Sequence, residues 1–526
     1  MNPVTVRRSA GARVACRDVP PPAHQPVTVG QVAASLGVAT PAVGANVLLS
    51  GLTLASDRVR EGDLFAAVPG AVRHGAAFAA EAVTAGAVAV LTDPAGCAAA
   101  SVAGVPVLVV DDVRAVLGGL AARLAGDPAA AMTVFAVTGT SGKTTTTYLL
   151  EAGLRAAGRR PGVIGTTGAR IDGRPMPSAL TTPEAPDLHR LLAAMADEHV
   201  RAVALEVSSH ALVLHRVDGL VADVALFTNL GHDHLDFHAD MAGYLAAKLM
   251  LFTPGRARAA VVCVDDGPSG YGAQVAAAAR AAGLPTVTVT GRPGVPSGDW
   301  AVSATTVRAA GGTSFALRTP DGRALEAHVA LPGGFNVTNA VLALAALVVA
   351  GVDESTALDG IGGLAGVPGR LERVTGGGLL AYVDYAHKPE ALEAVLTELR
   401  GLVPVGGRLA VVLGAGGNRD RGKRPLMGEV AGRLADLVVV TDDNPRDEDP
   451  ATIRSAVLAG TAGTAAEVVA VGDRRAAIAR AVAGVGPGDV LLVAGKGPET
   501  GQQVGHLMVP FDDRTVLAEL LAESGA

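Results

Sequence analysis

Lys143 and Thr144 follow a glycine-containing loop, and this stretch of the sequence carries the clearest chemistry. Gly139 and Gly142 allow backbone N–H groups to approach phosphate oxygens, Lys143 adds a full positive charge, and the Thr144 hydroxyl can bind Mg²⁺. An apolar, β-branched run precedes the loop, and a helical pattern follows it. This order of strand, loop and helix predicts a binding site for the phosphates of a nucleotide.

The loop departs from the general Walker pattern, in which a glycine stands five residues before Gly142. Val137 occupies that position, and the first glycine is Gly139. The alternative interpretation is an ordinary turn between a strand and a helix that happens to contain Gly-Lys-Thr. Two glycines, a lysine and a run of threonines in the expected context favour the phosphate loop.

Glu206 ends a second apolar segment. It is a candidate magnesium ligand, because Mg²⁺ takes oxygen ligands together with nucleotide phosphates. The alternative is a solvated glutamate at the end of a strand. Residues 229–238 are dense in His and Asp, but they lack a nearby cysteine and the His-Glu-x-x-His spacing. A magnesium site with one histidine ligand, or a helix N-terminus capped by an aspartate, is therefore favoured over zinc.

Lys248 shares a helical face with Tyr244 and Phe252, because the pattern of residues 244–252 predicts a helix. A lysine on an apolar face usually extends its ammonium group to solvent. A buried lysine instead has a lowered pKa, and its neutral amine can take up CO₂ as a carbamate, which is an oxygen ligand. The spacing alone leaves both interpretations open.

Two charged loops, residues 418–424 and 442–446, follow consecutive predicted strands in the last third of the chain. Loops that follow neighbouring parallel strands lie side by side. Two of their arginines, together with Asp443 and Asn444, could then bind both the carboxylate and the ammonium group of a zwitterion. Two solvated loops are the alternative interpretation.

The elements that would position these residues alternate between strands and helices, which predicts an α/β fold. Chemically rich residues follow the strands, where parallel sheets bind ligands. Strands are predicted at residues 134–137, 201–207, 223–227, 259–264, 379–383, 409–413, 437–441, 468–471 and 490–493.

Three domains are expected from this alternation: a small α/β domain at residues 27–130, a central phosphate-loop domain with a mostly parallel sheet at 131–366, and a Rossmann-like domain at 367–526. The last one has no Gly-x-Gly-x-x-Gly sequence, so a dinucleotide site is not expected there. Residues 1–26 are rich in arginine and proline and lack the apolar segment of a signal peptide, and we interpret them as a disordered tail.

The composition is typical of a soluble enzyme. The net charge of −7 argues against nucleic acid as the main partner, and the longest apolar run is too short to cross a bilayer, so no membrane insertion is expected. Three scattered cysteines without metal-ligand spacing indicate a reducing, cytoplasmic setting. We also expect a monomer.

Eleven motifs stand in a fixed order between residues 139 and 497: GTSGKTT at 139–145, TTP at 181–183, EVSSH at 206–210, the 229–238 block, YLAAK at 244–248, FNVTN at 335–339, GR at 369–370, VDYAH at 383–387, GKRPLMG at 422–428, DNPR at 443–446 and GKG at 495–497. Through them the chain resembles the Mur ligase family of peptidoglycan synthesis, in particular its diaminopimelate-adding MurE branch. The resemblance covers residues 53–514.

The resemblance implies a UDP-sugar-binding first domain, an ATPase central domain and an amino-acid-binding third domain, which work with ATP and Mg²⁺. It implies that Lys143, Glu206, His234 and a carbamylated Lys248 form the catalytic centre, where the last three and Thr144 bind the metal. The implied contacts with ATP are Gly139, Thr140, Ser141, Gly142, Lys143, Thr144, Thr145, Asn339, Arg370 and Asp384.

The resemblance also implies two small-molecule substrates, UDP-N-acetylmuramoyl-L-alanyl-D-glutamate (UDP-MurNAc-L-Ala-D-Glu) and 2,6-diaminopimelate. The implied contacts with the UDP-substrate are Ser56, Thr181, Thr182, Ser208 and Arg216. Those with diaminopimelate are Arg419, Asp443, Asn444, Pro445, Arg446, Gly495 and Glu499. The chain departs from the family pattern at Ala55 and Asp57 beside Ser56, at Leu214, and at Pro498.

The implied reaction joins the γ-carboxylate of D-glutamate to an amine of diaminopimelate through an acyl phosphate made with ATP. Two domains that supply separate substrates suggest closure before chemistry, which protects the acyl phosphate from water. One alternative is a folylpolyglutamate synthase, which shares the fold and the chemistry but is disfavoured by the motifs at 181–183 and 443–446. A phosphate-loop binding module or switch is the other, and it would not need the cluster in the third domain.

Overall fold

The computed structural model describes residues 26–70, 72–176, 178, 180–234, 237–266, 270–295, 298–308, 312–376 and 378–524. Residues 1–25 of the predicted tail lie outside this part of the chain. Among the described residues, no helix combines the length and the apolar character that a membrane crossing requires.

The first unit of the chain is built on a four-stranded parallel sheet, β3 to β6, and a separate pair formed by β1 and β2. Its elements are β1 (Val27–Thr28), α1 (Val29–Leu36), β2 (Leu48–Leu49), β3 (Gly51–Thr53), β4 (Asp63–Ala67), α2 (Ala79–Thr84), β5 (Ala89–Thr92), α3 (Cys97–Ser101), β6 (Val107–Val109) and α4 (Val113–Leu124), with 3₁₀ segments at Ser56–Arg58, Gly75–Phe78 and Pro128–Ala131.

The central unit holds an eleven-stranded sheet in the order β10-β9-β8-β11-β7-β12-β13-β14-β15-β16-β17. Its elements are β7 (Thr133–Thr138), α5 (Lys143–Ala156), β8 (Pro161–Gly165), β9 (Gly168–Ile171), β10 (Arg174–Met176), α6 (Ala185–Asp197), β11 (Ala202–Glu206), α7 (Ser209–Val213), β12 (Ala222–Phe227), α8 (Met241–Leu249), β13 (Ala257–Cys263), α9 (Tyr271–Ala281), β14 (Thr286–Thr290), β15 (Trp300–Val307), β16 (Thr313–Arg318), β17 (Ala324–Val329), α10 (Gly334–Val349) and α11 (Glu354–Gly362).

The third unit holds a six-stranded sheet in the order β18-β19-β23-β20-β21-β22 and a hairpin of β24 and β25. Its elements are β18 (Glu372–Val374), β19 (Leu380–Asp384), α12 (Pro389–Arg400), β20 (Leu409–Leu413), α13 (Lys423–Leu434), β21 (Leu437–Val440), α14 (Pro450–Gly460), β22 (Glu467–Ala470), α15 (Arg474–Val482), β23 (Val490–Ala494), β24 (Gly501–Val504), β25 (Leu507–Pro510) and α16 (Asp513–Ser524).

Alternate residues of the central strands enter different cores, because successive side chains of a strand point to opposite faces of the sheet. In β7, Phe135 and Val137 pack into the core on one face, while Val134 and Ala136 pack into the core on the other. A strand buried on both faces must be apolar throughout, which explains the continuous apolar run before the phosphate loop. The predicted α/β fold class is confirmed.

The predicted strands all form, but the helix predicted at residues 244–252 ends earlier than its pattern indicated. Helix α8 ends at Leu249, and the next N–H groups bond three residues back, from Leu251 to Lys248 and from Phe252 to Leu249. Pro254 follows and cannot donate to a helix, so the turn tightens before it.

Gly118 and Gly119 are adjacent in α4, but only at Gly118 would an added Cβ meet the central unit. A Cβ at Gly118 would overlap the carbonyl group of Asp218, whereas a Cβ at Gly119 would meet no atom within 4 Å. Only the first glycine is therefore required by packing.

We expect Gly118→Ala to destabilise the protein by about 1–3 kcal/mol, as an overpacked contact does. Gly119→Ala, its matched control, is expected to stabilise by about 0.4–1 kcal/mol, because alanine restricts the unfolded chain and favours the helix. Differential scanning calorimetry of both variants measures the two shifts. Shifts of the same sign would contradict this account of the interface.

Candidate active site

Two glycines shape the phosphate loop between β7 and α5. Gly139 (φ 147°) and Gly142 (φ 86°) adopt backbone angles that favour glycine. A Cβ at Gly142 would lie 2.5 Å from Oδ1 of Asn339, one of the predicted ATP contacts. Thr145 is buried in the first turn of α5. The structure therefore places these four predicted nucleotide contacts together.

Residues that follow β12 hold the loop in place. The Thr140 N–H donates to the carbonyl oxygen of Asn229 (2.9 Å), and the Ser141 N–H donates to its Oδ1 (3.0 Å). The Thr228 hydroxyl donates to the carbonyl oxygen of Ser141 (2.6 Å). A loop fixed in this way loses little conformational entropy when it binds an anion.

Two lysine side chains converge on the carbonyl oxygens of this loop. Lys143 Nζ donates to Gly139 (2.9 Å) and Thr140 (3.0 Å), and Lys248 Nζ donates to the same oxygen of Gly139 at 2.9 Å. Lys248 is 1% exposed, and its Nζ lies 4.4 Å from the centre of the Tyr244 ring. Burial and the charge of Lys143 hold the pKa of Lys248 well below its usual range, which favours the neutral amine.

Glu206 ends β11, beside β7, and the residue is 1% exposed. Thr166 donates its backbone N–H to Oε1 (2.9 Å) and its hydroxyl to Oε2 (3.0 Å). A Cβ at Gly165 would overlap this carboxylate, so glycine permits the close approach. Burial lowers the pKa of Lys143 to about 8, and the nearby Glu206 carboxylate opposes that shift.

Three predicted contacts with the UDP-substrate lie beside the backbone of Glu206. The Thr182 hydroxyl donates to the carbonyl oxygen of Glu206 (2.8 Å), and its oxygen accepts from the Ser208 N–H (3.2 Å). Arg216 Nη1 lies 3.4 Å from the carbonyl oxygen of Thr182, to which it donates. The structure thus brings residues from three segments of the chain to one corner of the central sheet.

Thr181 joins this corner, whereas Ser56 lies in the first unit. The Thr181 and Thr166 hydroxyl oxygens are 3.4 Å apart. Ser56 begins a 3₁₀ segment and donates to Glu81 (3.3 Å). The described contacts do not join Ser56 to the other predicted UDP-substrate residues.

Arg370 reaches from the third unit to the phosphate loop. Its Nη2 donates to Thr144 Oγ1 (3.0 Å), and its guanidinium carbon lies 4.5 Å from the centre of the Tyr385 ring. Asp384, at the end of β19, accepts the N–H of Leu371 (2.7 Å). Burial raises the pKa of Asp384, and the charge of Arg370 opposes this shift. Arg370 thus connects the third unit to the phosphate loop, whereas Asp384 bonds the backbone of its own unit.

His234 adopts a left-handed backbone conformation (φ 55°), which costs free energy for a residue other than glycine. Its Nε2 lies 3.0 Å from Oδ2 of Asp233. The cap of helix α8 is Asp240, which accepts the Gly243 N–H at 2.7 Å, so the capping aspartate lies just after the 229–238 block and not within it.

The predicted contacts with diaminopimelate, apart from Arg419 in the loop after β20, follow β21 and β23, which lie on either side of β20. Asn444 donates from Nδ2 to Glu499 Oε2 (2.9 Å) and accepts from Lys496 Nζ (2.9 Å) at Oδ1. Arg446 Nη1 donates to the carbonyl oxygen of Gly417 (2.8 Å) in the loop that follows β20. The prediction that these loops lie side by side is confirmed.

Asp443 is 6% exposed and lies 3.7 Å from Lys496, measured from Oδ1 to Nζ. A Cβ at Gly495 would lie 2.6 Å from Oδ2 of Asp443. Pro445 is buried, whereas Arg419 is exposed. Asp443 therefore has a lysine of its own chain beside it, a neighbour that the sequence analysis did not consider.

Thr166, Tyr385 and Lys496 were not among the predicted site residues. Tyr385 and Lys496 lie inside the motifs VDYAH and GKG, so the motifs themselves carried a signal. Thr166 carried none, because it reaches Glu206 only through the parallel pairing of β8 with β11.

A cleft of about 190 Å³ opens between the central and third units. It is polar on both sides, and the turn that holds Glu206 forms one wall. Its lining residues are Gly165, Thr166, Gly168, Ser178, Leu180 and Thr181 from the central unit, and Tyr385, Pro498 and Glu499 from the third.

Three family models match this chain in succession. They are described as the Mur ligase family catalytic domain at residues 48–124, the Mur ligase middle domain at 137–347, and the Mur ligase glutamate ligase domain at 369–497. Together they include the phosphate loop and the charged loops of the third unit.

A relative from Streptomyces avermitilis, a UDP-N-acetylmuramoyl-L-alanyl-D-glutamate--2,6-diaminopimelate ligase, is 48% identical over 511 residues, which is 96% of this chain and 98% of the relative. A solved structure of a ligase of the same name has a TM-score of 0.66 at 31% identity and covers 94% of this chain and 99% of that chain. A Mycobacterium tuberculosis folylpolyglutamate synthase, solved with ADP and AMPPCP, has a TM-score of 0.60 at 22% identity, covers 72% of this chain and 91% of that chain, and shares the fold alone. This chain belongs to the Mur ligase family.

Proposed function

We propose that this protein is an ATP-dependent, ADP-forming ligase that adds 2,6-diaminopimelate to UDP-MurNAc-L-Ala-D-Glu during the synthesis of peptidoglycan precursors. The cleft between the central and third units carries the proposal. Thr166 and Thr181 line its central side, and Tyr385 and Glu499 line the opposite side. Thr181, a predicted contact of the UDP-substrate, and Glu499, a predicted contact of diaminopimelate, therefore line the same space.

The chemistry requires activation of the carboxylate, because a carboxylate would have to expel oxide when an amine attacks it. A γ-carboxylate oxygen of D-glutamate attacks the γ-phosphorus of ATP, and ADP leaves. The amine of diaminopimelate then attacks the acyl carbon, phosphate leaves, and the amine loses a proton. Lys143 and Arg370 would stabilise the charge of the transferred phosphoryl group from the central and third units.

The residues near the phosphate loop fit a Mg²⁺ ion. Mg²⁺ is usually bound by one or two protein carboxylates together with phosphates and water, and Glu206 offers a buried carboxylate at the edge of the loop. Thr144, His234 and a carbamylated Lys248 would complete the set. A bound Mg²⁺ would neutralise phosphate charge, and Thr166 would keep the Glu206 carboxylate oriented.

Each of the three domains is proposed to hold one substrate. Residues 27–130 would hold the UDP-sugar, 131–366 ATP, and 367–526 the amino acid. We also propose a cytoplasmic location, since both ATP and a UDP-linked substrate are cytoplasmic metabolites. The protein is proposed to act as a monomer.

The experiment that tests the function measures ADP release with each substrate omitted in turn. We expect release over many turnovers to require both the UDP-substrate and diaminopimelate, with a tripeptide product of the expected mass. A binding module or switch would release no ADP in response to the substrates, and a folylpolyglutamate synthase would respond to a folate substrate and glutamate. Either result would reject the proposal.

Lys248 is proposed to carry a carbamate, because its buried neutral amine is the form that reacts with CO₂. The amine attacks the carbon of CO₂, one proton leaves, and the new carboxylate supplies an oxygen ligand. We expect Lys248→Ala to lower kcat by about 10–100-fold, the range seen when metal-site partners are lost.

Short carboxylic acids such as acetate should restore part of this activity, because they offer a carboxylate to the space left by the side chain. Wild type with the same acids is the control and should not be stimulated. A resonance from ¹³C-labelled bicarbonate in wild type, absent in the variant, gives a readout independent of activity. Full activity of Lys248→Ala without added acid would reject the carbamate.

A further inference from the structure

Lys388 lies directly after the VDYAH motif of the third unit, at the start of α12, and contacts the central unit. Its Nζ lies 2.5 Å from Oδ2 of Asp233, which is 155 residues away in the chain. The two side chains are only 14% and 17% exposed. Solvent and salt screen such a pair less than they screen a pair on the open surface.

The same carboxylate oxygen contacts His234. The distance from Asp233 Oδ2 to His234 Nε2 is 3.0 Å, so one oxygen links the lysine of the third unit to the imidazole of the central unit. Carboxylates that bond one ring nitrogen of a histidine fix its orientation and direct the other nitrogen elsewhere. With Nε2 on Asp233, Nδ1 is the nitrogen available for another partner.

The surroundings of Asp233 favour its charged carboxylate form. Burial alone would raise the pKa of Asp233, but the hydrogen bond with His234 and the charge of Lys388 hold it well below its usual range. Lys388 also adds positive charge near Lys143 and Lys248, since its charge contributes to the lowered pKa of each.

We propose that the Lys388–Asp233 ion pair seats the third unit on the central unit and orients His234, which makes Lys388 a positioning residue for ligation. The inference rests on the proposed ligase function, because it concerns the closure that brings the amino acid to the acyl phosphate. When the two units separate, the ion pair breaks, and the Asp233 carboxylate that contacts His234 is no longer held by Lys388. Closure and the orientation of the imidazole are then coupled through a single carboxylate oxygen.

The test uses Lys388→Met, Asp233→Asn and the double variant, with Lys388→Arg as the conservative replacement. Each single variant is expected to lower kcat by about 10–100-fold, with the KM for diaminopimelate changed less than threefold. The kcat of the double variant should be no lower than that of the less active single variant, because each substitution removes the same interaction. Lys388→Arg should recover most of the activity, since it can form the same pair.

Two further readouts do not depend on ligation. In the presence of ADP, Lys388→Met should bind Mn²⁺ about 10-fold more weakly in paramagnetic resonance titrations, and its radius of gyration in X-ray scattering should exceed that of wild type. Arg433→Ala is the matched control, because it removes an exposed ion pair with Glu393 within the third unit. It should leave both readouts unchanged.

Failure of the inference and failure of the proposed function are distinguishable. If wild type releases no ADP with its substrates, the function fails, while scattering and Mn²⁺ binding still test the pair. Multiplicative losses in the double variant would mean that the two residues act separately, and this would overturn the inference. A folded Lys388→Met variant with wild-type kcat, Mn²⁺ affinity and radius of gyration would also overturn it.

Discussion

Lys143→Ala is expected to lower the rate of ligation by more than a hundredfold while the fold stays intact. The Nζ of Lys143 lies on the carbonyl oxygens of Gly139 and Thr140, at the mouth of the loop where the transferred phosphoryl group would lie. Loss of one such group from a site that stabilises developing charge costs about 3–4 kcal/mol. Each 1.4 kcal/mol corresponds to about tenfold in rate, so the expected loss is about 150- to 700-fold.

Single-turnover formation of product, with ATP and both substrates saturating, measures this loss. Arg155→Ala is a matched control on the same helix, because it removes a partly exposed cation that pairs with Asp172. It should retain nearly full activity. Circular dichroism and the melting temperature of both variants report whether α5 still forms. A folded Lys143→Ala variant that ligates within tenfold of wild type would refute the assignment.

Arg446→Ala is expected to lower kcat/KM for diaminopimelate by about 30-fold to a few thousand-fold. Diaminopimelate differs from lysine by one carboxylate at its far end, and an arginine fork can bind a carboxylate with two parallel hydrogen bonds. Truncation of one partner of a desolvated charge pair costs about 2–5 kcal/mol. Arg446 is the candidate because it is held in place: its Nη1 donates to Gly417, and its backbone pairs with β24.

The backbone of Arg446 supports this assignment. Its φ of 53° lies in the left-handed region, where residues other than glycine are strained. Such strain persists only where the surroundings enforce it, and it occurs often at binding sites. Pro445 restricts the preceding backbone, so the guanidinium group starts from a fixed direction.

The experiment compares kcat/KM for diaminopimelate and for lysine in wild type and variant. Release of ADP by the variant should still require the UDP-substrate. Arg421→Ala removes the same charge from a neighbouring, 76% exposed position and serves as the control. If wild type used lysine as well as diaminopimelate, or if the variant kept full preference, Arg446 would not be the residue that selects the amino acid.

The sequence by itself determined the strands and the residues at their ends. Continuous β-branched runs form strands buried on both faces, such as β7, and parallel strands place the residues that follow them at one edge of the sheet. For this reason the phosphate loop, Glu206 and the two charged loops at residues 418–424 and 442–446 could be predicted without a structure. Their order along the chain also predicted the family, because several specific motifs must coincide.

Only the tertiary structure decided which side chains are buried and which distant segments meet. A spacing of four residues placed Lys248 on the face of a helix, but the packing of that face against the phosphate loop decided that its amine is buried. Thr166 meets Glu206 through strand pairing, and Lys388 meets Asp233 across two units. Local periodicity carries no information on these contacts, because they depend on how separately folded sheets pack together.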